Sequence, residues 1–326
     1  MTAPYDADVL IVGAGPAGGA AALMAASLRL RVTVVEAERV GGRLQAIGAV
    51  ENVPGWHTGP GLARALDADL AALREAGRCQ VLRARATAVR GYEDRAEVTL
   101  ADGRALTAPG VVVATGVTPL TAADAPWLTA PAGLVAPPLW RAVPDDVRGA
   151  AYVLGADRPL GTWLRSHPGA RVTLRVLCPP EDDYKAAEVA GVAGEDRVRL
   201  IPVSGVTVLE ADASGEAGDS VTANTGEAAE AAVPGAAAWS VDVRDRAGRR
   251  TTHTAHTLLT NLGNTPAALP GLARADDGYC PPQAQHPRVR TAGDLRSARY
   301  QRILTAQGSG AEAVLGLYYA SVLGQG

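Results

Sequence analysis

The segment DVLIVGAGPAGGAAALMAASLRLRVTVVEAE, close to the amino end, limits the fold more than any other feature of the chain. VLIVG is an unbroken apolar run, the pattern of a parallel strand buried on both faces. GGAAALMAASLRL reads as an Ala/Leu-rich helix ending near Arg29, and RVTVVE as a second strand. Between first strand and helix lies a G-x-G-x-x-G turn made of Gly13, Gly15 and Gly18, with Pro16 and Ala17 inside it. In such a turn Gly13 permits the sharp bend, Gly15 lets the backbone approach a pyrophosphate, and Gly18 lets the helix pack close to the strand. The first N–H groups of the helix then point at the phosphates. Glu36, followed by Ala37, closes the second strand. A carboxylate there accepts hydrogen bonds from ribose hydroxyls and repels a 2'-phosphate, which selects FAD or NAD over NADP. The whole is half of a Rossmann unit.

A chain of 326 residues, 47% of them hydrophobic, has room for two domains with cores of their own. The net charge of -3 and pI near 6.0 supply no basic surface for nucleic acid. The start runs from a short polar tip into a buried strand without the basic and apolar regions of a secretory signal, and the expected location is cytoplasmic. No apolar run reaches the roughly 18 to 20 residues of a membrane span. Cys79, Cys178 and Cys280 are far apart and odd in number, which forms neither a disulfide framework nor a metal-ligand cluster.

Residues 41–56, GGRLQAIGAVENVPGW, resemble the GGQL…VENxPG signature of the low-molecular-weight thioredoxin reductase family of FAD flavoproteins. The resemblance implies that Gly41 and Gly42 line the pyrophosphate, that Leu44 is among the cofactor contacts, that Asn52 lies beside the isoalloxazine, and that Arg43 replaces the family's usual Gln. ATGVTPL, with Thr115 and Gly116, is similar to the strand-end loop preceding the family's crossover to a second domain, and Ala86 is placed among the cofactor contacts. RTAGDLRSARYQRILTAQGSGAEAVLGLYYASVL resembles the second flavin motif: Gly293 and Asp294 would face FAD hydroxyls, and Gln301-Arg302-Ile303 stand at the start of a helix whose dipole meets the flavin edge. The implied fold is α/β, with two Rossmann-like, three-layer ββα domains. A discontinuous FAD domain, 1–118 and 249–326, holds an inserted domain, 119–248, of degenerate NADPH type. Within the insert, 209–237 is poor in large apolar residues and reads as a flexible loop.

The inserted domain departs from the family at both places that carry chemistry. Its nucleotide loop reads Gly155-Ala156-Asp157-Arg158-Pro159-Leu160, where Asp157 puts bulk and negative charge at the phosphate position and Pro159 removes a donor. After the next strand, Glu181, Asp182 and Asp183 stand where arginines would grip a 2'-phosphate. The redox Cys-x-x-Cys pair aligns with Pro138-Leu139-Trp140-Arg141, and without two thiols there is no dithiol relay.

These departures point to an FAD-dependent oxidoreductase that works without a redox disulfide and without NAD(P)H, its electron donor a ferredoxin-like protein or a small-molecule substrate. An acidic donor would dock on arginines such as Arg296, Arg299 and Arg302, since the acidic replacements leave the middle domain without a basic footprint. Two alternatives stay open: a non-catalytic FAD-binding structural or sensor protein, and an NAD(P)H-dependent flavin reductase with an atypical nicotinamide site. No catalytic residue is assigned; His57, next to the ENVPGW motif, and Trp140 are the candidates, for proton exchange and for stacking. The resemblance also implies a homodimer.

Overall fold

The computed structural model describes residues 5–50, 52–180, 196–210 and 239–323. It divides the chain into two compact units, Met1–Thr118 with Asn264–Gly326, and Pro119–Gly263.

The first unit begins with β1 (Val9–Val12), α1 (Pro16–Ser27), β2 (Val32–Glu36), α2 (Gly59–Glu75) and β3 (Cys79–Arg83). A meander follows, β4 (Ala86–Gly91), β5 (Ala96–Leu100) and β6 (Ala105–Ala108), then β7 (Val111–Val113) and β8 (Val117–Pro119). After the insertion come β17 (Asn264–Pro266), β18 (Val289–Thr291) and α4 (Ile303–Leu323). The parallel sheet has the order β18-β7-β1-β2-β3. Side chains alternate across a strand, so β1 serves two cores at once. Val9 and Ile11 pack with Ala21, Ala25 and Val314 of the helices, while Leu10 and Val12 pack with Val98 and Leu100 of the meander. Helix, sheet and meander form the three layers. The alanines that bury α1 leave no bulk between it and α4, and Gly310 of α4 lies so close to the Ala17 carbonyl that a Cβ there would collide with it.

The second unit repeats the plan on a smaller scale. β9 (Leu128–Thr129), β10 (Ala151–Leu154), α3 (Pro159–Ser166), β11 (Leu174–Cys178) and β12 (Val198–Pro202) are followed by β13 (Gly205–Glu210), β14 (Trp239–Arg244), β15 (Arg250–Ala255) and β16 (Thr257–Thr260). One sheet is parallel, β12-β11-β10-β16, and the other has the order β15-β14-β13-β9. Val153, Val176, Leu160 and Trp163 join the parallel sheet to α3. Tyr152, Leu154 and Leu177 on its other face meet Val206, Val208, Val241 and Val243 of the second sheet.

The return boundary differs from the expected residue 249. β15 pairs with β14 through six registered positions, and β16 is the outer strand beside β10, so both belong to the inserted unit. Residue types along a strand do not name the neighbour it pairs with. The expected loop 209–237 lies outside the described residues apart from 209 and 210, which end β13. No helix of the described residues is long and apolar enough to cross a membrane.

Candidate cofactor site

The glycine turn joins β1 to α1 as its spacing predicts. Gly13 has φ +99°, and a Cβ there would stand 2.5 Å from the Ala114 carbonyl oxygen. A Cβ on Gly18 would run into the Gly13 carbonyl. Gly15 behaves differently, because a Cβ there meets nothing within 4 Å. The site thus has close-packed walls at Gly13 and Gly18 and open space at Gly15. Gly15 is the N-cap of α1 without a side-chain cap, Pro16 begins the helix, and the first-turn N–H groups of Ala17 and Gly18 have no acceptor within the helix. The donor set and the open position fit the pyrophosphate of a dinucleotide such as FAD.

The carboxylate of Glu36 faces this turn. Its oxygens accept from Ala14 N at 2.7 Å and Glu38 N at 2.8 Å, which fixes its direction at the end of β2 and leaves further lone pairs for ribose hydroxyls. Ala37 follows, half-buried. The next motif is tied to the same place, since Gly41, left-handed at φ 63°, donates to Ala14 O at 2.9 Å. Gly42 starts a short 3-10 turn that contains Arg43 and buries Leu44. Leu44 joins Val50, Val53, Leu62 and Ala63 in a small core on which Trp56 and Ile303 also pack. That core brings the 41–56 motif to the start of α4, some 250 residues later in the chain. Asn52 is exposed on the loop beside it.

At the other flavin motif, Gly293 has φ +71°, and a Cβ on it would come within 2.9 Å of Ala17 Cβ. Its N–H donates to Ser309 Oγ at 2.8 Å, which seats Gly293 and Asp294 between the starts of α1 and α4. The Gln301 side chain donates to Ser297 O at 3.0 Å and Asp294 O at 3.4 Å, and to Tyr279 Oη at 3.2 Å. Tyr279 is buried and donates to Asn264 O at 3.5 Å. Asn264 Oδ1 in turn accepts from Arg43 Nη2 at 3.0 Å, and Arg43 Nη1 donates to Val117 O. Arg43, Asn264, Tyr279 and Gln301 therefore form one polar chain linking the first flavin motif, the β8–β17 ladder and the second motif. Arg43 is exposed as a residue, yet its guanidinium is partly desolvated. That desolvation lowers its pKa from the ordinary arginine range, and the charge of Asp294 acts in the opposite sense. Arg302 N donates to Thr305 Oγ1 at 3.2 Å, closing the turn from which α4 rises at Ile303.

Of the remaining sequence candidates, Thr115 adjoins the glycine turn, its Cα 3.4 Å from the position a Cβ on Gly13 would take. Thr115 Oγ1 donates to Ala267 O at 2.7 Å, and Gly116 O accepts from Ala267 N, so this pair ties β8 to the returning chain. Ala86 opens β4 and packs on the meander core. His57 is exposed before α2, and its carbonyl accepts from Val50 N at 2.8 Å. In the inserted unit, Trp140 lies in a 3-10 turn, Leu139–Arg141, with the Arg141 guanidinium 4.5 Å from its ring centroid. One face of the indole is thereby already occupied. Gly155, at φ +92°, follows β10, and Asp157 is buried at the start of α3, its carbonyl accepting from Asn261 Nδ2 at 2.8 Å. Glu181, Asp182 and Asp183 lie outside the described residues.

Sequence reasoning missed Asn264, Tyr279 and Ser309. Asn264 and Tyr279 lie outside the motifs quoted above, and Ser309 lies inside the second flavin motif without a role assigned to it. Each becomes visible only through a partner far away in the chain.

No protein-family model matches this chain. Part of it is 49% identical over 69 residues to the F component of alkyl hydroperoxide reductase from Pseudomonas aeruginosa, covering 21% of this chain and 13% of that protein. A segment of 52 residues is 46% identical to thioredoxin reductase of Mycolicibacterium smegmatis, covering 16% of this chain and 17% of that one. Against the F component of alkyl hydroperoxide reductase from Staphylococcus aureus the identity is 35% over 120 residues, 35% of this chain and 22% of the relative. The matches thus span less than a quarter of these relatives' lengths. Likeness of fold is far broader. Thioredoxin reductase of Lactococcus lactis superposes with a TM-score of 0.68 at 18% identity, over 98% of this chain and 100% of that one. That of T. acidophilum gives 0.67 at 19% identity, with the same coverage. In its two α/β domains with parallel sheets, and in the segments it shares with these flavoproteins, the chain is thioredoxin reductase-like.

Proposed function

We propose that this protein is an FAD-dependent oxidoreductase that works without a redox disulfide and without NAD(P)H, receiving electrons from a ferredoxin-like protein or a small-molecule substrate. The observation that carries this reading is the pair of replacements in the inserted unit. By the sequence resemblance the redox pair aligns with Pro138–Arg141, which contains no thiol, and the phosphate position aligns with Asp157, which is buried. All three cysteines are buried thiols outside any disulfide. Burial pushes the Cys79 thiol up to about 11 and raises that of Cys280, so neither is a ready nucleophile.

In the first unit the residues present do what FAD binding requires. Gly15 leaves room for the pyrophosphate beside the close-packed Gly13 and Gly18, Glu36 offers acceptors to a ribose, and Gly293, bonded to Ser309 of α4, holds Asp294 near the start of α1. The chemistry supplied by bound FAD is reversible two-electron transfer. Arg299 is exposed and suits docking of an acidic donor, whereas Arg296 is engaged with Glu312 at 2.9 Å. The same reading includes a cytoplasmic homodimer formed through the flavin domain. Tyr319 and Val322, three residues apart on α4 and 52% and 61% exposed, offer it an apolar strip. A strictly monomeric light-scattering profile removes the dimer from the reading.

The test is the visible spectrum of the purified protein under anaerobic conditions, before and after NADPH, NADH and reduced ferredoxin. Reduction of the flavin band by ferredoxin but by neither nicotinamide is the expected result. Rapid bleaching by NADPH or NADH overturns the proposal.

A further inference from the structure

The acidic replacements in the inserted unit led to the expectation that it has no basic footprint, yet its β14–β15 hairpin carries Arg244, Arg246, Arg249 and Arg250. Beside it lies a groove of about 350 Å³ on the solvent face of the β15-β14-β13-β9 sheet. The strand register explains how the groove is made. Val241 and Val243 of β14 point into the core, so Asp242 and Arg244 point out. One outward row runs Thr129, Thr207, Asp242, Thr252 across all four strands. The next row is Gly205, Arg244, Arg250, and Trp127 lies at its edge, its carbonyl accepting from Val206 N at 2.8 Å. Gly205 has no positive φ that would call for glycine; its missing side chain instead leaves room for the Arg244 side chain. A Cβ there would stand 3.0 Å from Arg244 Nη2, which shows that the guanidinium folds down over this gap.

Arg244 and Arg250 are directly opposite each other in the antiparallel pair, an arrangement that repels. Among the described residues neither forms an ion pair, and the adjacent Asp245 is engaged with Arg249 at 3.2 Å. Two planar guanidinium forks at the rim of the groove match a carboxylate or phosphate group. One row away, Asp242 accepts from Thr252 Oγ1 at 2.6 Å and keeps lone pairs for a second donor. We infer that this groove binds a small organic anion carrying a hydroxyl or amino group: the anionic end between Arg244 and Arg250, the donor end toward Asp242, and the carbon skeleton along the groove toward Trp127.

The inference stands apart from the flavin reading and is tested on the whole 326-residue chain as purified. L-malate, glycerol 3-phosphate and inorganic phosphate are titrated calorimetrically into the parent, Arg250→Gln and Gly205→Val. Saturable binding of malate identifies a carboxylate ligand and of glycerol 3-phosphate a phosphate ester, each tighter than inorganic phosphate. Arg250→Gln, an exposed change, weakens that binding by about tenfold or more with an unchanged circular dichroism spectrum, and Gly205→Val abolishes it. Absence of saturable binding of all three probes to the parent overturns the inference. Binding by a folded Arg250→Gln protein as tight as the parent's does the same.

Discussion

Gly15 and Gly18 stand three residues apart in one motif, yet substitution by alanine should damage different properties. At Gly18 the new methyl would lie within 2.8 Å of the Gly13 carbonyl carbon and closer still to its oxygen, against the roughly 3.5–4.0 Å of an ordinary contact. Neither backbone atom moves freely, because Gly13 N donates to Val35 O at 2.8 Å and Ala14 N to Glu36 Oε2 at 2.7 Å. Overpacking at the upper end of its usual range costs about 3 kcal/mol. Strain on a loop hydrogen bond adds about 1 kcal/mol, and the better helix propensity of alanine returns about 1 kcal/mol. The net loss is then about 3 kcal/mol, and at roughly 2–4 °C per kcal/mol the apo protein should melt about 6–12 °C lower. At Gly15 the methyl meets no protein atom, and the poorer N-cap roughly cancels the smaller entropy of the unfolded chain. Gly15→Ala should therefore melt within about 2 °C of the parent. Its methyl enters the space assigned to the pyrophosphate, however, and a steric loss of about 2 kcal/mol weakens FAD binding about 30-fold. Differential scanning fluorimetry of apo protein and FAD titration by fluorescence quenching separate the two effects. A Gly15→Ala protein that binds FAD like the parent, or a Gly18→Ala protein equally stable, would refute the assignment of walls and open space.

Arg43→Gln removes the bonds to Val117 O and Asn264 and should both destabilise the apo protein and weaken FAD binding, each by about 1–2 kcal/mol; urea midpoints and FAD titration read the two losses. Tyr279→Phe frees the Gln301 amide from its hydroxyl partner and should lower FAD affinity by about 1 kcal/mol, with Gln301→Ala adding little more because both act through one chain of bonds. The native thiols should resist Ellman's reagent at pH 8 and react in denaturant, since Cys79, Cys178 and Cys280 are all buried. Cys79 also has a sign in pH. Its thiol is held protonated up to about 11 in the folded state, whereas the unfolded thiol ionises in the ordinary range, so stability declines as pH rises between the two values. Cys79→Ala should flatten that decline in urea titrations at alkaline pH.

The clearest features of the sequence concern residues that meet within a short stretch of chain. β1, the glycine turn, α1, β2 and Glu36 are contiguous, and the demands of a strand–turn–helix–strand unit fall on residue types at fixed spacing: an apolar run, three glycines, an acid at the strand end. The absence of thiols at 138–141 and the presence of Asp157 are likewise statements about residue type, legible without coordinates. Alternation along a strand states which side chains share a face, and nothing in it names the strand alongside. For that reason β15 and β16 read as returning to the first domain until their pairing with β14 and β10 assigned them to the second. The same limit hid the polar chain from Arg43 through Asn264 and Tyr279 to Gln301, and the facing arginines over Gly205. Local spacing determined the strand–turn–helix–strand unit with its glycines and acid, and the absence of cysteine at 138–141; strand register and long-range packing alone decided which distant polar groups join Arg43 to Gln301 and which arginines face each other, because hydrogen bonding and charge repulsion act between neighbours in space.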